Sequence, residues 1–431
     1  MSIKNLEPNG LWKNFYALTQ IPRPSKKEEK VVAFLKQFGE NLGLETIVDK
    51  VGNVIIRKPA TPGYEDRMGV VLQAHVDMVP QKNSDKVHDF EKDPIETRIE
   101  DGWVKANGTT LGADNGVGAA AAMAVLEATD LVHGPIEGLF TIDEETGMTG
   151  ANALEPGVLK GDILINMDSE TEGELYVGCA GGIDTCGYFT PKFEDVPAGS
   201  KAFQLIVKGL KGGHSGMDII LGRANANKVM NALLLKATEK FNARVADIQG
   251  GSLRNAIPRE SFVTITVPEA KAEELLAYVP EFEAVVKEQF AAVEPEMSIT
   301  VVPAEMPAKV IDKETIAKLI EAVAKYPNGV IAMSKDFEGT VETSSNLAIV
   351  KLVDGQIMTA SLQRSLVDAS KDELAAEMRK VLESCGARAE STGSYPGWKP
   401  NINSIIYNTM KKVYADKYGK TPKTMVIHAG L

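Results

Sequence analysis

The chain has 431 residues, of which 44% are hydrophobic and 25% are charged, as in an ordinary globular protein of two or three domains. Its formal net charge of −12 argues against a nucleic-acid partner, because binding to a phosphate backbone needs a basic surface. The N-terminus lacks the apolar core of a signal peptide and no apolar run is long enough to span a membrane, so we expect a cytoplasmic protein without membrane contact.

The first 180 residues alternate predicted strands and helices, the pattern of an α/β layer architecture. Ser25 and Glu28 have the spacing of a capping box, with Ser25 as the N-cap of a helix. The elements predicted in this part are, in chain order, that helix ending near residue 42, a hairpin at 44–48 and 51–57, and an alanine-rich helix at 119–129. The glycines of 178–182 predict a hinge after this part.

A second set of elements follows the predicted hinge. The predicted strands lie at 203–207, 261–267, 346–352, 357–362 and 424–428, and the predicted helices at 224–241, 270–278, 281–290, 316–324, 371–383 and 402–418. Residues 402–428 contain a predicted helix followed by a predicted strand, as the first part of the chain does. We therefore predict a discontinuous domain of residues 1–186 and 398–431, with an insert of residues 187–397 that is long enough for two lobes.

Three apolar runs typical of strands each stop at a histidine or a carboxylate. The residues that follow these runs are His75 and Asp77, then Asp143, Glu144 and Glu145, and finally Asp168. Asp114 lies between the first two runs, in a glycine-bounded turn that opens a helix. Ligands of α/β sheets bind beyond the carboxyl ends of the strands, and carboxylates gathered there repel one another unless a cation joins them. The pattern predicts a metal site that holds two ions.

Each of these residues also has an ordinary structural interpretation. The pair His75 and Asp77 is compatible with a core histidine bonded to a neighbouring carboxylate, and Asp114 with a helix N-cap. Adjacent glutamates such as Glu144 and Glu145 fit a solvated acidic turn, and Asp168 fits a turn at a strand end. Four such positions within about a hundred residues argue against coincidence. Oxygen ligands with one imidazole favour Zn, Mn or Co over metals that prefer thiolates, and the three cysteines lack metal-binding spacing.

These motifs resemble those of the co-catalytic zinc peptidases of the M20 type. The finer resemblance is to the aminoacyl-histidine dipeptidase branch, carried by residues 73–80, 109–116 and 427–431. It implies an α/β fold with a discontinuous zinc-peptidase-like catalytic domain and a large inserted α+β lid domain. It further implies the metal-dependent hydrolysis of unblocked dipeptides, of Xaa-His type or of broad specificity, by a metal-bound hydroxide with a glutamate base.

The resemblance also implies a role for each residue of the predicted metal site. His75 and Asp168 would bind one ion, Asp114 would bridge two ions ahead of a cis peptide bond, Glu145 would bind the second ion, Glu144 would be the general base, and Asp77 would orient His75. The two divalent ions implied are zinc, with Mn and Co as alternatives.

Three further residues are implied to bind a small peptide substrate. His214 would contact the tetrahedral intermediate, where a donor stabilises oxyanion charge, and Asn255 would bind the substrate. Arg364 would clamp the substrate's C-terminal carboxylate, although without the resemblance a surface arginine is the better interpretation. A homodimer that shares His214 between subunits is left open.

One feature departs from the family pattern. The last zinc ligand of the family is a histidine that lies beyond Leu431, so we expect the second catalytic segment to be truncated. The late histidine of this chain, His428, is interpreted as structural and not as a replacement ligand. An inactive, peptide-binding form is therefore an alternative to a working enzyme.

Other functions remain as alternatives with weaker support. Gly116, Gly118 and Ala121 match the G-x-G-x-x-A pattern of dinucleotide-binding enzymes, but no apolar strand leads into them. A serine hydrolase has weaker support still, because Met217 occupies the last position of a G-x-S-x-G pattern around Ser215. An N-acyl amino acid deacylase or a tripeptidase of the same family stays open.

Overall fold

The protein is described by a computed structural model for residues 2–430, so Met1 and Leu431, the last residue of the 427–431 motif, lie outside the described residues. The chain forms two compact units, Met1–Gly173 and Glu174–Leu431. Each unit has its own sheet and its own hydrophobic core.

The first unit is built on a five-stranded sheet with the strand order β1-β2-β6-β3-β7. Its strands are β1 Glu45–Val48, β2 Val54–Lys58, β3 Val70–His75, β6 Ile136–Thr141 and β7 Ile163–Asn166, and a separate hairpin is formed by β4 Thr97–Glu100 and β5 Trp103–Ala106. The strand β3 pairs in parallel with both β6 and β7, and His75 lies opposite Thr141. The carboxyl ends of these three strands therefore meet at one edge of the sheet.

Helices pack on this sheet through small and apolar side chains. They are α1 Asn9–Thr19, α2 Glu29–Asn41, α3 Ala113–Glu127, α4 Glu144–Gly147 and α5 Thr149–Asn152. The alanines of α3 that face the core, Ala119, Ala120 and Ala122, are fully buried. Because their side chains are short, α3 lies close to the sheet, as the sequence predicts.

The predicted capping box is wrong. The helix α2 begins at Glu29, and Ser25 donates its hydroxyl hydrogen to Asp77 Oδ2 over 2.8 Å instead of capping the helix. Glu28 accepts hydrogen bonds from the backbone N–H groups of Lys26 and Asp143. Both residues thus make contacts outside the helix, and their partners Asp77 and Asp143 lie far along the chain.

The second unit contains a nine-stranded sheet within the described residues. Its strands are β9 Gly181–Phe189, β11 Ser200–Lys208, β13 Arg244–Gly250, β15 Ser261–Pro268, β16 Ser298–Pro303, β18 Gly329–Met333, β19 Val341–Val353, β20 Gln356–Ser365 and β21 Arg388–Tyr395. Three strand pairs stand apart from this sheet: β8 Glu174–Cys179 with β22 Lys423–Ile427, β10 Phe193–Asp195 with β17 Lys309–Ile311, and β12 Gly213–His214 with β14 Ala256–Ile257. The main sheet is antiparallel throughout, with β20 between β19 and β9.

Five α-helices lie among the described residues of the second unit: α6 Ala226–Phe241, α7 Glu269–Phe290, α8 Lys313–Lys325, α9 Asp368–Ser384 and α10 Ile405–Tyr418. The sequence predicts a break near Pro280, whereas α7 continues through it. Leu275, Val279 and Val286 are buried on both sides of Pro280. Their packing outweighs the cost of about 3 kcal/mol that an interior proline imposes on a helix.

The predicted hinge at residues 178–182 is also wrong. Its glycines belong to β8 and β9 and are buried, and a Cβ at Gly181 would lie 2.5 Å from Gly397 N. The strand β9 runs across position 186, where the predicted first catalytic segment ends. Residues 398–431, with α10 and β22, belong to the second compact unit. The assignment of 1–186 and 398–431 to a catalytic domain and of 187–397 to a lid stays a prediction.

Candidate metal centre

His75 ends the strand β3 and is buried, with both ring nitrogens facing carboxylates. Its Nδ1 lies 3.2 Å from Asp77 Oδ1, and its Nε2 lies 2.9 Å from Asp114 Oδ1 and 3.5 Å from Asp168 Oδ1. Glu144 Oε2 is 4.0 Å from the same Nε2. The four carboxylates come from four segments that the sheet brings to one edge. The alternative of an isolated histidine and aspartate pair does not account for this cluster.

The donor set fits a divalent cation. Ligand atoms of His75, Asp114 and Asp168 all lie within 4.8 Å of one another. Burial alone would lower the pKa of His75, but hydrogen bonds with Asp114, Asp168 and Asp77 raise it to about 12. Without a metal, a proton on Nε2 thus offsets part of the surrounding negative charge. A cation at the same place would do so more completely, with Asp77 fixing the imidazole through Nδ1.

Asp114 is presented by an irregular start of α3. Gly112 precedes it with φ +68°, the bond from Asp114 to Asn115 is cis, and both residues have non-helical dihedral angles. Asp114 therefore does not act as a helix N-cap, and its carboxylate faces His75. The cis bond is the one that the family resemblance implies.

The glycines of the G-x-G-x-x-A pattern have a packing role in α3. A Cβ at Gly118 would lie 2.8 Å from Met167 O, so only glycine lets the helix approach the chain just after β7. The preceding strand, β5, belongs to the separate hairpin and does not lead directly into the helix. These contacts explain the pattern without a nucleotide.

Glu144 and Glu145 lie together on one short helix, α4. Their backbone N–H groups donate to the two oxygens of Asp77, over 3.0 and 3.2 Å respectively. Asp143 is buried and accepts hydrogen bonds from the hydroxyls of Thr146 and Thr149. The interpretation as a solvated acidic turn is therefore wrong for Asp143.

The pKa values of both glutamates are raised. Burial, together with the charges of Asp168, Glu145 and Asp77, raises the pKa of Glu144 to about 7 even though His75 acts in the opposite direction. Burial and the charge of Asp114 raise the pKa of Glu145. The carboxylate of Glu145 lies outside the group of ligand atoms within 4.8 Å. Its assignment as a metal ligand stays a prediction.

Sequence reasoning missed three residues beside this site: Arg23, Ser25 and Glu28. All three lie in or next to the segment that runs alongside Asp77 and Met78, where Pro24 and Met78 form a parallel bridge. The one signal for them is Arg23 between two prolines, which rules out a helix there but says nothing of a partner.

The second unit brings together the three residues predicted to bind substrate. His214 pairs with Ala256 across β12 and β14, and Ser215 N donates to Asn255 O over 2.8 Å. Arg364 Nε donates to Ser215 Oγ over 3.4 Å. His214, Asn255 and Arg364 therefore surround one short segment of the chain.

Arg364 is buried, so the interpretation as a surface arginine is wrong. It donates to Tyr395 OH over 2.7 Å, and both of its hydrogen-bond acceptors are neutral hydroxyls. Burial lowers its pKa. His214 Nδ1 accepts from the backbone N–H groups of Gly216 and Met217, which places the ring proton on Nε2.

His428 is buried in the second unit, and its Nε2 lies 2.7 Å from Ser344 Oγ. Burial, followed by the charge of Arg364, lowers the pKa of His428 to about 3. A neutral, hydrogen-bonded and buried ring agrees with the structural role that the sequence analysis gives this residue.

Comparison with known proteins decides the family. The sequence model of peptidase family M20/M25/M40 matches residues 71–430. The chain belongs to this peptidase family. It is 45% identical over 432 residues to the cytosol non-specific dipeptidase of Escherichia coli (strain K12), an alignment that covers 100% of this chain and 88% of that protein.

Solved structures support the same assignment. The crystal structure of aminoacylhistidine dipeptidase from Vibrio alginolyticus superposes with a TM-score of 0.95 at 45% identity, covering 100% of this chain and 88% of that one. Aminopeptidase PepT from Bacillus cereus superposes with a TM-score of 0.51 at 17% identity, covering 99% and 86%, and shares the fold alone. The predicted family, the α/β peptidase fold and the assignment to peptidases are thereby confirmed. None of the helices in residues 2–430 combines the length and apolarity that crossing a membrane requires.

Proposed function

We propose that this M20 family member hydrolyses unblocked dipeptides with the help of two divalent metal ions, zinc being our first choice. The observation that carries the proposal is the cluster of His75, Asp114 and Asp168, whose ligand atoms lie within 4.8 Å of one another beside Glu144. The relatives at 45% identity are named dipeptidases, and one of them is named for aminoacyl-histidine substrates. Broad specificity and a preference for Xaa-His substrates both remain within the proposal.

Each site residue of the first unit has its own proposed role. We assign His75 and Asp168 to one ion, Glu145 to the other, and Asp114 to both. When bound, such ions polarise the scissile carbonyl and make water a stronger nucleophile. Asp77 holds the imidazole of His75 through Nδ1 and keeps Nε2 free for coordination.

Glu144 is the proposed general base. It would take a proton from the attacking water and deliver that proton to the leaving amine. Burial and the neighbouring carboxylates raise the pKa of Glu144 to about 7 in the metal-free protein, so this side chain can accept a proton near neutral pH. The hydrogen bond from its backbone N–H to Asp77 keeps the start of α4 in place.

The second unit supplies the proposed substrate contacts. Among residues 2–430 the hydrogen-bond acceptors of Arg364 are hydroxyls and not carboxylates, so the guanidinium suits the C-terminal carboxylate of a dipeptide. His214 has its Nε2–H available as a donor, since Nδ1 accepts two backbone hydrogen bonds. We propose that this donor stabilises the oxyanion of the tetrahedral intermediate and that Asn255 binds the peptide.

We also propose a cytoplasmic location for this activity. The three cysteines of the sequence are an odd number without the spacing of a disulfide framework, which favours a reducing compartment, and the relative in Escherichia coli is named as a cytosolic enzyme. The proposal makes no use of a partner chain.

Metal analysis combined with hydrolysis assays tests the function. The purified chain, stripped with a chelator and reloaded with Zn²⁺ or Mn²⁺, is assayed against dipeptides including Xaa-His, a tripeptide and an N-acetyl amino acid. We expect binding of two ions per chain and hydrolysis confined to the free dipeptides. Hydrolysis of the tripeptide or the acetylated substrate in preference to dipeptides would assign the chain to another activity of the family. Two bound ions without any hydrolysis would favour the peptide-binding alternative.

A further inference from the structure

Arg23 is a buried arginine that lies against the backbone of the candidate metal centre. Only 1% of its surface is exposed. Its Nη1 donates to Val76 O over 2.8 Å and to Asp77 O over 3.1 Å, while its Nη2 donates to Gly112 O. One guanidinium thus joins the chain just after His75 to the chain just before Asp114.

The backbone around Arg23 is shaped to admit this side chain. A Cβ at Gly112 or at Gly116 would lie 2.6 Å from Arg23 Nη2, so glycine at both positions keeps the space open. The backbone of Arg23 is held as well, since Met78 N donates to Arg23 O over 3.1 Å. The guanidinium therefore cannot shift without moving either the strand end or the turn.

Charge gives Arg23 a second effect on the same residues. Burial lowers its pKa to about 10, and the charges of Asp77, Asp114 and Glu145 oppose that decrease. Arg23 is therefore still protonated at neutral pH. Arg23 donates to backbone carbonyls and forms no direct ion pair with the side chains of residues 2–430, so its positive charge acts on all three carboxylates together.

We propose that Arg23 is a positioning residue of the metal centre, which holds the strand end that carries His75 and the turn that carries Asp114 at the spacing needed for metal binding. This inference rests on the proposed function, because it assigns the positioned groups to metal ligation. Arg23 contacts neither substrate nor metal in this role and acts through the carbonyls of Val76, Asp77 and Gly112. The planar fork is essential, since two separate nitrogens reach two segments of the chain.

The main test compares Arg23→Lys with a matched control, Arg57→Lys. Lysine keeps the positive charge but offers a single nitrogen, so one of the two segments loses its donor. Arg57 is also largely buried, donates to Val158 O, and pairs with Glu45 and Glu137. It lies opposite Glu137, near the start of β6, at the end of the sheet away from His75.

The principal readout is the affinity of the chelator-stripped protein for Zn²⁺, measured at low temperature by competition with a chromogenic chelator. We expect Arg23→Lys to bind Zn²⁺ about tenfold to a hundredfold more weakly than wild type, the range seen when groups that support metal ligands are changed. With saturating Zn²⁺ we expect kcat to fall and KM for the dipeptide to stay within about twofold, since Arg23 does not face substrate. Arg57→Lys should lower the thermal midpoint without changing Zn²⁺ affinity.

A second variant keeps the test decisive if the first is poorly folded. Gly116→Ala leaves Arg23 in the chain but places a methyl group 2.6 Å from Nη2, so the fork must move. Its control is Gly10→Ala, where the nearest atom to the new Cβ is Ala124 Cβ at 3.4 Å. We expect weaker Zn²⁺ binding for Gly116→Ala alone.

The outcomes separate this inference from the proposed function. Wild-type Zn²⁺ affinity in folded Arg23→Lys and Gly116→Ala would overturn the positioning role, and a lower thermal midpoint by itself would show a merely structural one. A wild-type protein that binds Zn²⁺ but cleaves no dipeptide contradicts the proposed function only, because the affinity comparison needs no substrate. A wild-type protein with no affinity for Zn²⁺ contradicts both.

Discussion

The backbone N–H of Glu144 donates a hydrogen bond to Asp77 Oδ1 over 3.0 Å, and the same oxygen lies 3.2 Å from His75 Nδ1. The other oxygen, Oδ2, accepts from Glu145 N and from Ser25 Oγ. A single buried carboxylate thus orients the imidazole and fixes the first turn of α4. Asp77 therefore links metal binding to the position of the proposed base.

The first prediction concerns Asp77→Asn. An amide has one acceptor oxygen in place of two, so its NH₂ group would face a donor such as Glu145 N or His75 Nδ1–H. We expect Zn²⁺ affinity and kcat each to fall about tenfold to a hundredfold, measured by chelator competition and by dipeptide hydrolysis. Asp162→Asn is the control, because Asp162 accepts from Gly69 N at the far end of β3. Equal losses in both variants would remove the special role of Asp77.

The second prediction concerns Glu144→Gln, which removes the base but keeps the shape of the side chain. We expect kcat to fall by about a hundredfold to ten-thousandfold, the usual contribution of general acid and base catalysis, while two ions remain bound. Metal content and initial rates measure the two effects separately. Glu155→Gln, at an exposed glutamate paired with Lys50, should behave as wild type. A near-normal rate in Glu144→Gln would refute the proposed mechanism.

The third prediction is that protons compete with metal at His75. In the metal-free protein its pKa is raised to about 12, so the ring is protonated throughout the neutral range. A metal ligand must be the neutral imidazole, and binding therefore releases that proton. We expect the apparent affinity for Zn²⁺ to rise about tenfold per pH unit between pH 6 and pH 8, as followed by chelator competition at each pH. An affinity that does not change over this interval contradicts metal ligation by His75.

The positions of the metal-site residues could largely be predicted from the sequence, because strand ends are a local signal. The apolar run of β3 ends at His75, and the run that includes β7 ends just before Asp168, so polarity along the chain marks both. Parallel pairing of β3 with β6 and β7 then brings these ends to one edge. The general rule for α/β sheets was sufficient for this part of the site.

Contacts between distant segments could not be predicted in the same way. The pattern of Ser25 and Glu28 is identical in a capping box and in this structure, but here the partners are Asp77 and Asp143, which lie 52 and 115 residues further along the chain. Burial of Arg364 follows from the position of β20 between β19 and β9, which its own sequence does not encode. From local patterns, the predicted partners of Ser25 and Glu28 lie within one helix, and Arg364 is placed on the surface.

The fourth prediction concerns Arg364→Lys and the carboxylate of the substrate. Lysine cannot form the bidentate contact, so we expect KM for a dipeptide to rise at least about tenfold. The matched comparison is a dipeptide amide, which lacks the carboxylate and should be a poor substrate for wild type. Steady-state kinetics with both substrates should show that the variant discriminates far less between acid and amide. Undiminished discrimination would place the carboxylate elsewhere.

The fifth prediction follows from the neutral, buried ring of His428. Its pKa is lowered to about 3 in the folded protein, against about 6.5 in an unfolded chain, so below pH 6.5 the unfolded state binds the additional proton. The stabilising contribution is complete above pH 6.5 and is lost as the pH falls towards 3. In wild type, His428 should lower the unfolding free energy by up to about 1.4 kcal/mol for each pH unit of acidification in this interval. His428→Gln should lose this part of the acid dependence.

Urea unfolding at pH 6.5, 5.5 and 4.5 measures this difference, with Ser344→Ala as the control. Ser344→Ala removes the hydroxyl that lies 2.7 Å from His428 Nε2 and should cost about 1–3 kcal/mol at every pH. It keeps the histidine, so the pH dependence of wild type should persist in it. If His428→Gln kept that pH dependence as well, another group would have to account for the loss of stability in acid, and the structural role of His428 would reduce to its hydrogen bond with Ser344.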